Sequence, residues 1–228
     1  MKFTLKDYQD DAVSGVLERL KKARRRWHED KEISAFSLTA TTGAGKTVMA
    51  AAVFEALFFG SEDHDFEPDP SSVIIWFSDD PSLNEQSRGR LQEAADKLTT
   101  SDLVTLDNTF SSEKFEPGKV YFLNTQKLSK NSMLVRGADP SDQEIFTIDG
   151  IPIMPDGRSH SVWDTIRNTV EDPDLTLYLV LDEAHRGMRD AVKGTQTIVT
   201  RLINGQGAVP GIPIVWGVSA TVQRSTTR

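Results

Sequence analysis

The 228-residue sequence contains no cysteine, which removes a disulfide framework, a thiolate zinc site and a cysteine nucleophile together. Long apolar runs are missing too. No stretch reaches bilayer-spanning length, and the opening MKFTLKDYQDD lacks the apolar core of a secretory signal, so the expected compartment is the cytoplasm. Positive charge is in deficit, with 26 Lys and Arg against 34 Asp and Glu and a net charge of −8. That balance argues against nucleic-acid binding through a wholly basic surface but leaves room for a local groove. The one conspicuous basic cluster is Lys21, Lys22, Arg24, Arg25 and Arg26, at the end of a predicted helix. A solvated helix end favoured by the macrodipole accounts for it, and a phosphate contact is the competing reading.

What is present is the composition of a soluble globular domain, 38% hydrophobic and 26% charged, in a chain long enough for one substantial core. Residues 7–27 predict an amphipathic helix with Val13, Val16, Leu17, Leu20 and Trp27 on one face. A short apolar run at 35–40, a glycine-containing turn at 41–45 and an apolar helix at 46–59 follow as strand, loop and helix. An acidic, proline-containing loop occupies 60–72, the near-continuous apolar run 73–77 predicts a strand covered on both faces, and 82–98 predicts a polar helix. Further strands are expected at 103–106, 120–123, 177–181 and 214–218, with a helix around 191–203 between the last two. Short apolar strands alternating with helices predict an α/β fold: a mainly parallel central sheet with helices on both faces. Residues 129–165, with Gly137, Pro140, Gly150, Pro152, Pro155 and Gly157, break the rhythm and read as a long insertion with a hairpin around 149–150.

The strongest chemical signal is Ala40-Thr41-Thr42-Gly43-Ala44-Gly45-Lys46-Thr47, the phosphate-loop pattern with Ala in place of the first Gly. Gly43 and Gly45 let the backbone curl so that successive N–H groups point at an anion, and the following helix adds the positive end of its dipole. Lys46 would reach the β- and γ-phosphates of ATP, and the Thr47 hydroxyl would ligate Mg²⁺. Such a loop needs a carboxylate at a neighbouring strand end, and Asp182 follows the apolar run Leu177-Tyr178-Leu179-Val180-Leu181. Glu183, one residue on, is placed to orient or deprotonate the attacking water.

Asp182-Glu183-Ala184-His185, together with the loop at 40–47, resembles the superfamily 2 helicases of the Asp-Glu-Ala-His group. Four other segments agree in order. Tyr8-Gln9 looks like the glutamine motif, whose Gln contacts adenine in that superfamily. Ser78 to Gln86, with Pro81 and Leu83, is similar to the segment that touches the nucleic-acid backbone, and Asn124-Thr125-Gln126-Lys127-Leu128 to the next such segment. Ser219-Ala220-Thr221 looks like the motif that couples hydrolysis to strand movement. Asn124 to Leu128, Trp163-Asp164-Thr165-Ile166 and Asp182 to Met188 also resemble the restriction subunit of type III restriction-modification enzymes.

The resemblance implies a single RecA-like ATP-binding domain over 1–228, a three-layer phosphate-loop NTPase. It also implies roles for His185, Thr42 and Ala44 in the nucleotide site and contacts from Pro81, Gln86, Asn124, Thr125 and Gln126 to nucleic acid, duplex DNA for this family. The implied partners are a second RecA-like domain in cis and a DNA methyltransferase subunit, with no membrane. The second domain is expected outside this chain; without its arginine fingers, turnover is expected to be very slow. DNA and RNA remain open as substrates, as does a nucleotide-gated switch without motor activity.

Overall fold

A computed structural model describes residues 1–41, 43–129, 131–135, 147–148, 151–152, 158–182 and 197–220. The first helix, α1 (Asp7–Asp30), buries Val13, Val16, Leu17, Leu20 and Ala23 on one face. It stops at Lys31, which adopts the left-handed conformation at φ 57°. β1 (Ser34–Ala40) leads through the 41–45 loop into α2 (Lys46–Phe59), which is bracketed by Gly45 and Gly60 and buried continuously from Met49 to Leu57. β2 (Ser72–Ser78) is buried along its whole length and is followed by α3 (Pro81–Ala94). Then come β3 (Leu103–Thr105), β4 (Val120–Asn124) and the one-turn α4 (Thr125–Leu128). A short antiparallel pair, β5 (Thr147–Ile148) and β6 (Ile151–Pro152), precedes α5 (Val162–Glu171) and β7 (Thr176–Asp182). The chain continues as α6 (Ile198–Asn204), a small hairpin of β8 (Gly205–Gln206) and β9 (Val209–Pro210), and β10 (Ile214–Ala220).

Six strands form one sheet in the order β1-β10-β7-β2-β4-β3, and every neighbouring pair is parallel. Parallel neighbours require crossover connections, which carry the helices over the sheet faces and bury the central strands on both sides. Alternation along the strands divides the interior into two cores. Ile74, Trp76, Val120, Phe122, Tyr178, Val180, Ile214 and Trp216 meet α1, α2 and α3 on one face. Val73, Ile75, Phe77, Tyr121, Leu123, Leu177, Leu179 and Val215 meet α5 and α6 on the other. The expected α/β architecture is therefore the one found, a three-layer arrangement of RecA-like kind. Phe54 of α2 fixes the first layer, its ring edge-on to Trp76 at 6.0 Å and to Trp216 at 6.2 Å.

Three expectations are corrected. The helix expected at 82–98 ends at Ala94, where Ala95 turns to extended backbone. The insertion expected over 129–165 is shorter, because its last residues from Val162 onward form the first turn of α5, started by a reciprocal cap between Ser161 and Asp164. Trp27, expected on the same face as Leu20, is half-buried and packs against the opposite core. Among the described residues no helix is long and apolar enough to cross a membrane.

Candidate functional site

The loop between β1 and α2 is shaped by two glycines in the left-handed region, Gly43 at φ 81° and Gly45 at φ 80°, the latter serving as the N-cap of α2. The Ala44 N–H donates to the Thr41 carbonyl at 3.1 Å and closes a tight turn between them. Around Gly43 a Cβ would meet nothing within 4 Å, so only the backbone angle demands glycine there. A Cβ on Gly45 would sit 2.5 Å from Gln9 Nε2, so angle and close approach both demand it. Lys46 and Thr47 open α2 and stand half-buried at its N-terminus, where unpaired backbone N–H groups are available to an anion. Thr42 lies outside the described residues.

Gln9 is 8% exposed, and its carboxamide joins this loop to the start of α1. Its Nε2 donates to the Ala44 carbonyl at 2.8 Å, and its Oε1 accepts the Lys6 N–H at 3.0 Å at the start of α1. The exposed Tyr8 hydroxyl donates to the same Ala44 carbonyl at 3.3 Å. Gln9 thus braces the loop.

Parallel register brings the other candidates to the same sheet edge. Ala40 pairs with Ala220 across β1 and β10, and Val218 pairs with Asp182 across β10 and β7. Asp182 therefore ends its strand one neighbour removed from the phosphate loop. Its Oδ2 accepts a hydrogen bond from the Ser87 hydroxyl of α3 at 3.2 Å. Ser87 carried no signal in the sequence; a serine inside a polar helix is ordinarily a surface residue. Ser219 is half-buried opposite Thr39 near the end of β10, and Ala220 closes the strand. Glu183, His185 and Thr221 lie outside the described residues.

Beyond β2 and β4 the same edge carries a second group. The Asp80 carboxylate caps α3 by accepting the Ser82 hydroxyl and N–H, each at 2.7 Å, and these bonds hold it below the usual carboxylate range. Pro81 occupies the first turn. Asn84 rivets α3 to two strand ends, accepting the Ser78 hydroxyl at 2.7 Å and donating to the Leu123 carbonyl at 2.8 Å. Asn124 is only 2% exposed, and its Oδ1 accepts the Lys127 N–H at 3.0 Å. It caps α4 and so orders Thr125 and Gln126, rather than standing out from the surface. The Thr125 hydroxyl donates to Asp79 at 3.1 Å, and Gln86 and Gln126 are exposed. Burial pushes the Lys127 ammonium below its ordinary pKa, and it donates to the Leu106 carbonyl.

The basic cluster on α1 belongs to neither group. Lys22 pairs with Glu18 at 3.9 Å, Arg24 with Asp69 at 3.5 Å, Arg25 with Glu29 at 3.9 Å and Arg26 with Glu32 at 3.7 Å. It stands where α1 meets the start of β1, at the sheet edge opposite the loop. A paired helix end accounts for it. An open cavity of about 870 Å³ is lined by Leu5, Asp10, Glu55, Phe59, His64 and Lys97 among others, and by none of the loop residues.

With this geometry in hand, comparison with known proteins finds one family. Residues 2–224 match the family model described as "Type III restriction enzyme, res subunit". No curated protein matches the chain.

Proposed function

Since the chain belongs to the family of type III restriction enzyme res subunits, which implies an ATP-binding motor domain of helicase type, we propose that it is the first motor domain of a superfamily 2 DNA translocase, in a type III restriction enzyme or a related defence protein. The observation that carries this is the shared sheet edge: Lys46 and Thr47 on a glycine-shaped loop braced by Gln9, with Asp182 two strands along, across β10.

The residues present fit a magnesium nucleotide. At Gly45 a Cβ would collide with Gln9, so the close approach of loop and brace exists only because no side chain is there. Thr47 and Asp182 offer the hard oxygen donors that Mg²⁺ takes, and they would hold it. When bound, the ion neutralises charge on the β- and γ-phosphate oxygens. Everything else falls to the chain. Backbone N–H groups of 43–47 bind the phosphates, and Lys46 places a cation beside the γ-phosphoryl group. Glu183 orients the attacking water and accepts its proton, and His185 serves the same nucleotide site. Pro81, Gln86, Thr125 and Gln126 contact the nucleic-acid backbone, with Asn124 positioning the last two. Ser219, Ala220 and Thr221 couple hydrolysis to movement. A second RecA-like domain supplies the arginine that stabilises the transferred phosphoryl group, and a DNA methyltransferase is the partner subunit.

Calorimetric titration of Mg·ATP tests the nucleotide site: Lys46→Ala abolishes binding, and unchanged affinity would refute the placement of the phosphates. ATPase of the full-length protein then separates substrates. Stimulation by duplex DNA is the expected result, stimulation by RNA alone would make this an RNA helicase, and none by either a nucleotide-gated switch.

A further inference from the structure

α3 presents two kinds of residue to the protein interior. Leu91 and Ala94, near its end, enter the first core, while Asn84 and Ser87, one turn apart near its start, are buried polar residues. A buried hydroxyl and a buried carboxamide are costly unless bonded, so their partners define what this end of the helix does. Asn84 is bonded at both ends of its carboxamide, to Ser78 and Leu123, which fixes α3 against β2 and β4. Ser87 is 7% exposed and spends its proton on Asp182, which ends β7 on the far side of β2. The direction is unambiguous, since an ionised carboxylate can only accept. Ser87 thus bonds the carboxylate from a helix that Asn84 ties to two strands of the sheet.

From this geometry, and resting on the metal role proposed above for Asp182, we infer that Ser87 is a positioning residue for the metal site: its hydroxyl holds the Asp182 carboxylate in one orientation. A hydrogen-bonded carboxylate is already ordered when the ion arrives, whereas an unbonded one must give up rotameric freedom on binding. Partners of this kind ordinarily govern metal affinity by roughly 10–100-fold. Ser87 also shares α3 with Pro81 and Gln86, so the helix that carries two proposed nucleic-acid contacts also carries the group that orients the metal ligand.

The test uses the full chain with a non-hydrolysable ATP analogue and Mn²⁺ as the metal probe, read by electron paramagnetic resonance. Ser87→Ala weakens Mn²⁺ binding to the protein–nucleotide complex by about tenfold or more, while metal-free nucleotide affinity and the melting temperature stay near wild type. Ser87→Thr, which keeps the hydroxyl, restores metal affinity. Wild-type Mn²⁺ affinity in Ser87→Ala would overturn the inference while leaving the nucleotide site intact. Failure of Ser87→Thr to recover affinity would overturn it as well, because the hydroxyl would then not be the active group. If the wild type itself binds no metal–nucleotide complex, the proposed function falls and this inference with it.

Discussion

Gly43 and Gly45 hold nearly the same backbone angle, yet their surroundings differ enough to separate two causes of glycine preference. Alanine at position 43 meets open space and carries only the left-handed strain, about 1–2 kcal/mol. Alanine at position 45 carries the same strain and must also displace Gln9 Nε2, breaking its bond to Ala44. Gly45→Ala is therefore expected to lower stability and Mg·nucleotide affinity more than Gly43→Ala, measured by urea denaturation and calorimetry. Equal effects would mean that the Gln9 brace is idle. The glycine-shaped loop between β1 and α2 was legible because its signal is local: glycine spacing, a lysine and a threonine within eight consecutive residues. The contacts Gln9 to Ala44 and Ser87 to Asp182 were not. They join residues 35 and 95 positions apart, and no short-range pattern encodes which side chain a helix will turn toward a distant strand.

At the scale of elements, α2 matched its expected bounds because two glycines end it and an all-round apolar sequence leaves no other place for it than the interior. One residue is out of keeping with that interior. Glu55 is 5% exposed, and its carboxylate accepts the backbone N–H groups of Asp96 and Lys97 and pairs with the Met1 amino group at 2.7 Å. Burial alone would raise its pKa, but these three partners outweigh it and hold the carboxyl below its ordinary value of 4.5. A depressed carboxyl pKa contributes stability that is fully present above the unfolded value and is lost as pH falls through the folded one. Glu55→Gln is thus expected to cost about 2 kcal/mol near neutral pH, a deficit that narrows only below pH 4.5. Denaturant midpoints of both proteins across that range check it; a gap that widens on acidification would reverse the sign. The start of α5 was hidden by the Gly- and Pro-rich composition before it. The only signal was Ser161 with Asp164 three residues on, a weak form of the capping pattern.

At the scale of the whole molecule, alternating apolar segments made the parallel sheet and its two covered faces legible, but not the strand order. That order puts the last described strand, β10, between β1 and β7. Among the described residues β1 has no other strand partner: from Ser34 to Ala40 it pairs with Ile214 to Ala220. The chain emerges from synthesis N-terminus first, and contacts between remote segments form late because loop closure must come before them. The strand that leads into the glycine loop is thus made well before β10, the strand that anchors it. Pulse-labelled hydrogen exchange during refolding should therefore show β1 amides gaining protection together with β10, after those of α1 and α2. Protection of β1 ahead of β10 would contradict this. A chain made only as far as β7 would therefore carry the whole loop sequence on a strand that its partner has not yet joined.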